Sequence, residues 1–169
     1  MTETLERTAI HDFDFLHGSW RTRQRRLLHP LTGSTEWREF DATVTSRPII
    51  GGRGTFEEFF APSEGIDAVT IRLFDHERQE WSVYWMSNRT GPLDPPVVGR
   101  FGGDGRGVFE CDDTYEGRPI RVRYVWSEIT TTTAKWEQLF SPDGGVTWES
   151  NWTAAFTRYP ASKDPVEPA

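Results

Sequence analysis

Two glutamates raise the question of chemistry. Glu39 stands two residues after Trp37 in "TEWREF", and Glu58 two residues after Phe56 in "GTFEEFF". On an extended chain each carboxylate therefore shares a face with an aromatic ring. A carboxyl group held among apolar neighbours titrates high and can serve as a general acid or base. Tyr124, or an arginine such as Arg72 or Arg100, would then steady negative charge developing on a substrate. The same neighbourhood also reads as a binding surface. Trp37, Trp85, Tyr124, Trp136 and Trp152 offer flat apolar faces, and Arg72 or Arg100 would meet a polar or anionic end.

Other chemistries lack their parts. No nucleophile, base and orienting group stand at a convincing spacing. The histidines are His11, His17, His29 and His76, and none pairs with a second ligand at metal spacing. "GGRG" at residues 51–54 has no helix pattern behind it, so it is neither a phosphate loop nor a dinucleotide fingerprint and reads as a strand bend or bulge. Neither a metal nor a cofactor is expected.

The elements that must position these residues are strands. "PIRVRYVWS" sets Ile120, Val122, Tyr124 and Trp126 against Arg121 and Arg123, and "TAKWEQLFS" sets Trp136, Gln138 and Phe140 against Lys135 and Glu137. "WESNWTAAF" sets Trp148, Trp152 and Phe156 against Glu149, Asn151 and Thr153. Alternation of this kind marks strands with one face in a core and one in water. Seven further stretches carry it less cleanly, for about ten strands in all, which predicts an antiparallel barrel or sandwich. Arg72 opposes Val69, Ile71 and Leu73, and the pattern leaves open which set faces inward; Arg100 is equally ambiguous. "SPDGGVTW" fits the Asp-box turn Ser-x-Asp-x-Gly-x-x-Trp, a structural motif without catalytic meaning. "FDHERQEW" and "FGGDGRG" read as tight turns, and "RTGPLDPPVVG" as a long proline-rich loop of the kind found at pocket mouths. One short helix is expected in "TLERTAIHDFDFL", capped by Thr4 or Thr8. Residues 1–159 form one domain on this reading, and 160–169 a flexible tail.

Composition narrows the partners. With 169 residues and a formal charge of −7, the chain can build one sizeable core and offers no default nucleic-acid surface. The single cysteine, Cys111, excludes an intrachain disulfide and suits a reducing compartment. No stretch has the length of a signal peptide or of a membrane span, so a cytoplasmic protein without a membrane partner is expected. If Val69, Ile71 and Leu73 lie outside, that strip predicts a homodimer.

A short helix, then Gly18-Ser19-Trp20 opening the first strand, then an up-and-down meander resembles the calycin superfamily of lipocalins and fatty-acid-binding proteins. The wider pattern "FDFLHGSWR…GGRG…LFD…WSVYW…GRF…FTR" is similar to a bacterial family of calycin-like domains of unknown function, over about residues 13–158. The resemblance implies an all-β, single up-and-down barrel of about ten strands, closed at one end by the short helix. It implies that Trp20 packs on Arg158 of the last strand as a structural plug. Some short calycin barrels bind haem through a histidine near the C-terminus; no histidine follows His76, so that ligation has no counterpart here. Within such a barrel, parity places Trp37, Glu39, Phe56, Glu58, Trp85, Tyr124, Trp136, Gln138 and Trp152 on the lining. Two functions follow: a binding barrel for an apolar, aromatic or amphipathic small molecule, or a cofactor-independent cyclase, isomerase or decarboxylase working through Glu39, Glu58 or Tyr124. A partner-binding barrel, its interior filled by tryptophan, is a third.

Overall fold

A computed structural model describes residues 8–91 and 93–159. Thr4 and the expected tail at 160–169 lie outside the described residues. The chain forms ten antiparallel strands: β1 (Gly18–Leu27), β2 (Trp37–Ile49), β3 (Gly54–Ala61), β4 (Ile66–Asp75), β5 (Glu80–Ser87), β6 (Val97–Phe101), β7 (Gly107–Tyr115), β8 (Arg118–Ser127), β9 (Thr133–Ser141) and β10 (Glu149–Arg158). Each strand pairs with its neighbours in sequence, and β1 also pairs with β10, so the sheet closes without an edge. Among the described residues no helix is long and apolar enough to cross a membrane.

Period two does the positioning. In β1, Trp20, Thr22 and Gln24 are buried while Arg21, Arg23 and Arg25 are exposed. In β2, Phe40, Ala42, Val44 and Ser46 are buried and their odd-numbered neighbours 39–45 are exposed. Inward residues in these two strands thus come from one parity, and the register passes it on: Trp20 pairs with Val44 on one side and Arg158 on the other.

The helical segment ahead of β1 is two single turns of 3₁₀ helix, Ala9–His11 and Asp14–Leu16, and Thr8 makes no side-chain cap. A turn this short is marginal by itself. The barrel holds it: the Trp81 indole donates to the Ala9 carbonyl at 2.9 Å, and the Trp20 indole donates to the Leu16 carbonyl at 2.8 Å. Phe13 and Leu16 are completely buried, with Phe13 edge-on to Trp81 and Phe101 at 5.1 and 5.2 Å. The Arg158 guanidinium lies 4.1 Å over the Trp20 ring and donates to the carbonyls of Phe15 and His17, each at 2.6 Å, and to Thr131 at 2.9 Å. Gly18 turns the chain into β1 at φ +106°, and a side chain there would strike Arg158 at 2.8 Å. This end is a sealed plug of aromatic rings and one arginine.

The connections at 50–53, 76–79, 102–106 and 128–132 lie at the sealed end, and those at 28–36, 62–65, 88–96, 116–117 and 142–148 at the other. The "GGRG" glycines make the β2–β3 connection, with Gly51 and Gly52 at positive φ, rather than a bulge within a strand. The Asp box forms as its spacing predicts. Asp143 accepts from the Val146 and Thr147 amides at 3.1 and 2.8 Å, Ser141 accepts from Gly145 at 2.8 Å, and the Trp148 indole donates to Gly145 at 3.1 Å. The Thr147 hydroxyl and these further hydrogen bonds hold the Asp143 carboxyl at about 2.

Candidate functional site

Above the plug the barrel is hollow. A cavity of about 320 Å³ opens at the end bearing the 88–96 loop, where Thr90, Asp94, Pro95, Thr114 and Tyr115 contribute to its wall. Its middle is aromatic: Trp85, Tyr124, Trp136 and Trp152 line it together with Phe59 and Phe140. The rings meet edge to face. Trp152 stands 6.0 Å from Trp85 and 5.8 Å from Trp136, and Tyr124 stands 5.0 Å from Trp136, all at 74° or more. Edge-to-face packing fixes each ring through its neighbour's rim. The tryptophans therefore wall the barrel without filling it.

The glutamines of the middle are engaged. Gln24 accepts from the Trp152 indole at 2.7 Å and donates to Thr22 at 2.7 Å, which fixes the Trp152 ring. Gln138 donates to Asn151 at 2.8 Å. Deeper lies an ion pair. Arg72 donates to Glu57 at 2.8 Å and to Thr55 at 3.3 Å, and Thr70 donates to the other Glu57 oxygen at 3.2 Å. Their side chains are 3% and 6% exposed, so each charge depends on the other. The Arg72 guanidinium lies 5.0 Å over Phe13, joining the pair to the plug. One donor, Arg72 Nε, is buried without an acceptor among the described residues.

Toward the opening the lining turns acidic. Asp94, from the 88–96 loop, and Asp113, from β7, both face the cavity, as does Cys111 between Asp113 and the core. Burial raises the Asp94 carboxyl, and the nearby Asp113 charge adds to it. Burial pushes the Cys111 thiol to about 12, with Asp113 the next cause, and burial also raises the Tyr124 phenol. Arg26 contributes on the β1 side, its guanidinium 4.7 Å over the Trp152 ring.

The expected lining divides into residues the barrel gathers and residues it turns away. Trp85, Tyr124, Trp136, Gln138, Trp152 and Arg72 share the cavity. Trp37, Glu39, Phe56, Glu58 and Arg100 are on the outer surface. Glu39 bridges Arg23 and Arg25 at 2.9 and 3.2 Å. Arg25 also covers Trp37, and Arg47 covers Phe56. Glu58 is exposed, and Arg100 sits 3.6 Å from Glu80 in solvent. The acid–base roles considered for Glu39 and Glu58 thus have no place in the interior. In β2 the buried set is Phe40, Ala42 and Val44, smaller in sum than Trp37 suggests. In β3 the run Phe56-Glu57-Glu58-Phe59-Phe60 is almost symmetric about its centre, and the partner strand decides it. Arg72 faces inward, Thr55 is its register partner, and Glu57 follows on the same side.

Glu57, Asp94, Asp113 and Arg26 were not among the expected lining. Glu57 becomes legible only once Arg72 is known to face inward, since an inward arginine on β4 calls for an inward carboxylate on a neighbouring strand. Asp94 carries no such signal, because a loop has no parity.

No family model matches the chain, and no curated protein does. Among solved structures, the S-type phycobiliprotein lyase CPES of Guillardia theta is similar. It shares 10% sequence identity at a TM-score of 0.60, and the match covers 92% of this chain and 95% of that one. The similarity extends over nearly the whole of both chains and is one of fold: a calycin-like barrel.

Proposed function

We propose that this protein is a small-molecule-binding barrel, taking an apolar, aromatic or amphipathic ligand through the end that carries the 88–96 loop. The observation that carries the reading is the 320 Å³ hollow walled by Trp85, Tyr124, Trp136 and Trp152. Cavities of a few hundred cubic ångströms, mostly apolar with a few convergent polar groups, are the usual form of small-molecule sites. Here the plug holds one end shut without using the tryptophans of the middle, so the space between them is built into the fold. The ligand's ring system stacks on Trp136, Trp152 and Trp85, and its polar end reaches the Arg72 region. The Guillardia protein, a phycobiliprotein lyase by name, is of the same fold.

Intrinsic tryptophan fluorescence tests this. Titration with 2-naphthylmethanol, a neutral bicyclic aromatic, is expected to quench the signal saturably. Trp136→Ala is expected to weaken binding, while Arg123→Ala, on the outer face of β8, leaves it unchanged. Equal binding by all three proteins, or none by the wild type, contradicts the proposal.

A further inference from the structure

We infer that the cavity selects an aromatic cation, a ligand whose amine or other protonated nitrogen sits between Asp94 and Asp113 at the opening. This rests on the binding reading above and adds the sign of the ligand's charge.

Two aspartates alone would be a solvated rim. What makes them a site is where they stand. Both line the aromatic cavity, and neither forms an ion pair with any described residue. Asp113 accepts one hydrogen bond, from the Thr114 amide at 2.7 Å. Of the lining arginines, Arg72 is committed to Glu57 and Thr55, and Arg26 lies over the face of Trp152 on the β1 side, without an ion pair among the described residues. Arg89 donates to the Glu64 carbonyl, and Arg38 pairs with Glu64 at 2.8 Å. The formal charge of the lining is two positive, from Arg26 and Arg72, against three negative, from Glu57, Asp94 and Asp113. With Arg72 and Glu57 neutralising each other in the interior, the unmet charge near the opening on the β6–β7 side is negative. A partly desolvated carboxylate without a partner is unfavourable, and an entering cation relieves it. An entering anion aggravates it.

Two independent features fit the same ligand. The π-faces of Trp85 and Trp136 attract a cation and its attached ring together. At the deep end Arg72, 3% exposed, keeps its Nε without an acceptor. Since Glu57 already balances its charge, that donor suits a neutral acceptor such as an ether or carbonyl oxygen rather than a carboxylate. The ligand class is therefore an aromatic amine with its basic nitrogen outward and a neutral oxygen acceptor inward.

Three matched compounds read the charge preference: 2-naphthylmethylamine, 2-naphthylmethanol and 2-naphthoate, titrated against intrinsic fluorescence at neutral pH. The amine is expected to bind about tenfold more tightly than the alcohol, and the naphthoate more weakly than either. A methoxy group at the far end of the amine's ring system is expected to strengthen it further. Asp94→Asn with Asp113→Asn is expected to abolish the amine's advantage while the alcohol's affinity stays unchanged, which also reports that the variant is folded. Raising the salt from roughly 0.02 to 0.5 M on the unaltered protein is expected to weaken the amine and not the alcohol. Naphthoate binding as tightly as the amine, or an amine advantage that survives both the double substitution and high salt, overturns the inference and leaves the binding barrel standing. Failure of all three compounds to bind overturns the binding reading itself.

Discussion

Glu57→Gln should be among the most damaging conservative substitutions in this barrel. The change keeps the side chain's shape and lets its one amide oxygen accept from Thr70, but it removes the charge and leaves an amide NH2, which cannot accept, facing Arg72. Arg72 then remains 97% enclosed with its cation unanswered: among the described residues Thr55, at 3.3 Å, is the only other side-chain acceptor it has. Removing one partner of a buried ion pair costs about 3–5 kcal/mol, most of it the penalty on the abandoned charge. For a chain of 169 residues each kcal/mol lowers the thermal midpoint by about 2–4 °C, so a fall of roughly 6–20 °C is expected. Thermal unfolding followed by circular dichroism measures it. Replacing both partners, Glu57→Leu with Arg72→Met, is expected to recover most of the loss, because apolar residues of similar volume impose no desolvation cost. A midpoint for Glu57→Gln within about 2 °C of the wild type would refute the reasoning, since it would mean that water entering through the cavity already solvates the pair.

Trp20→Ala is expected to cost about 3–5 kcal/mol, as for other large aromatic truncations, by opening the plug beneath Arg158; an unchanged unfolding midpoint would contradict it. The Asp143 carboxyl, held at about 2 in the folded turn, lies below its value of roughly 3.9 in an unfolded chain. Its contribution to stability is therefore fully present above the unfolded value and is lost as the pH falls through the folded one. Asp143→Asn should flatten the acid limb of a stability–pH curve, and a limb of unchanged slope would count against the turn's role. Val69, Ile71 and Leu73 face outward, beside Tyr84 and the 41% exposed Met86 of β5. That strip is expected to hold a two-fold dimer that Ile71→Glu splits, and light scattering showing a strict monomer at high concentration would contradict it.

The barrel was legible because most strands state their parity more than once. In β8, Ile120, Val122, Tyr124 and Trp126 repeat the same face, and no neighbour is needed to interpret them. Trp20 and Arg158 were legible as a pair through the calycin resemblance, and their contact then fixes the register of β1 on β10. Three things resisted. A strand as short and balanced as β3 takes its parity from the arginine across from it, which is a tertiary fact. In β10 the ladder slips between Ser150 and Trp152, so Asn151 is buried beside Trp152 and simple alternation fails. Trp148 belongs to the Asp-box turn and lies outside the barrel, under the Arg123 guanidinium at 3.8 Å. The acidic opening was hidden as well. Asp94 comes from a loop, where no alternation gives its direction, although the β6–β7 hairpin that follows sets it near Asp113.

A crystal structure of the protein soaked with 2-naphthylmethanol tests the binding barrel most directly. Density for the bicyclic ring is expected between Trp85, Trp136 and Trp152, with Tyr124 alongside. The plug at Trp20 and Arg158 should be undisturbed. Density only on the outer surface, or side chains collapsed into the space between those tryptophans, would contradict it.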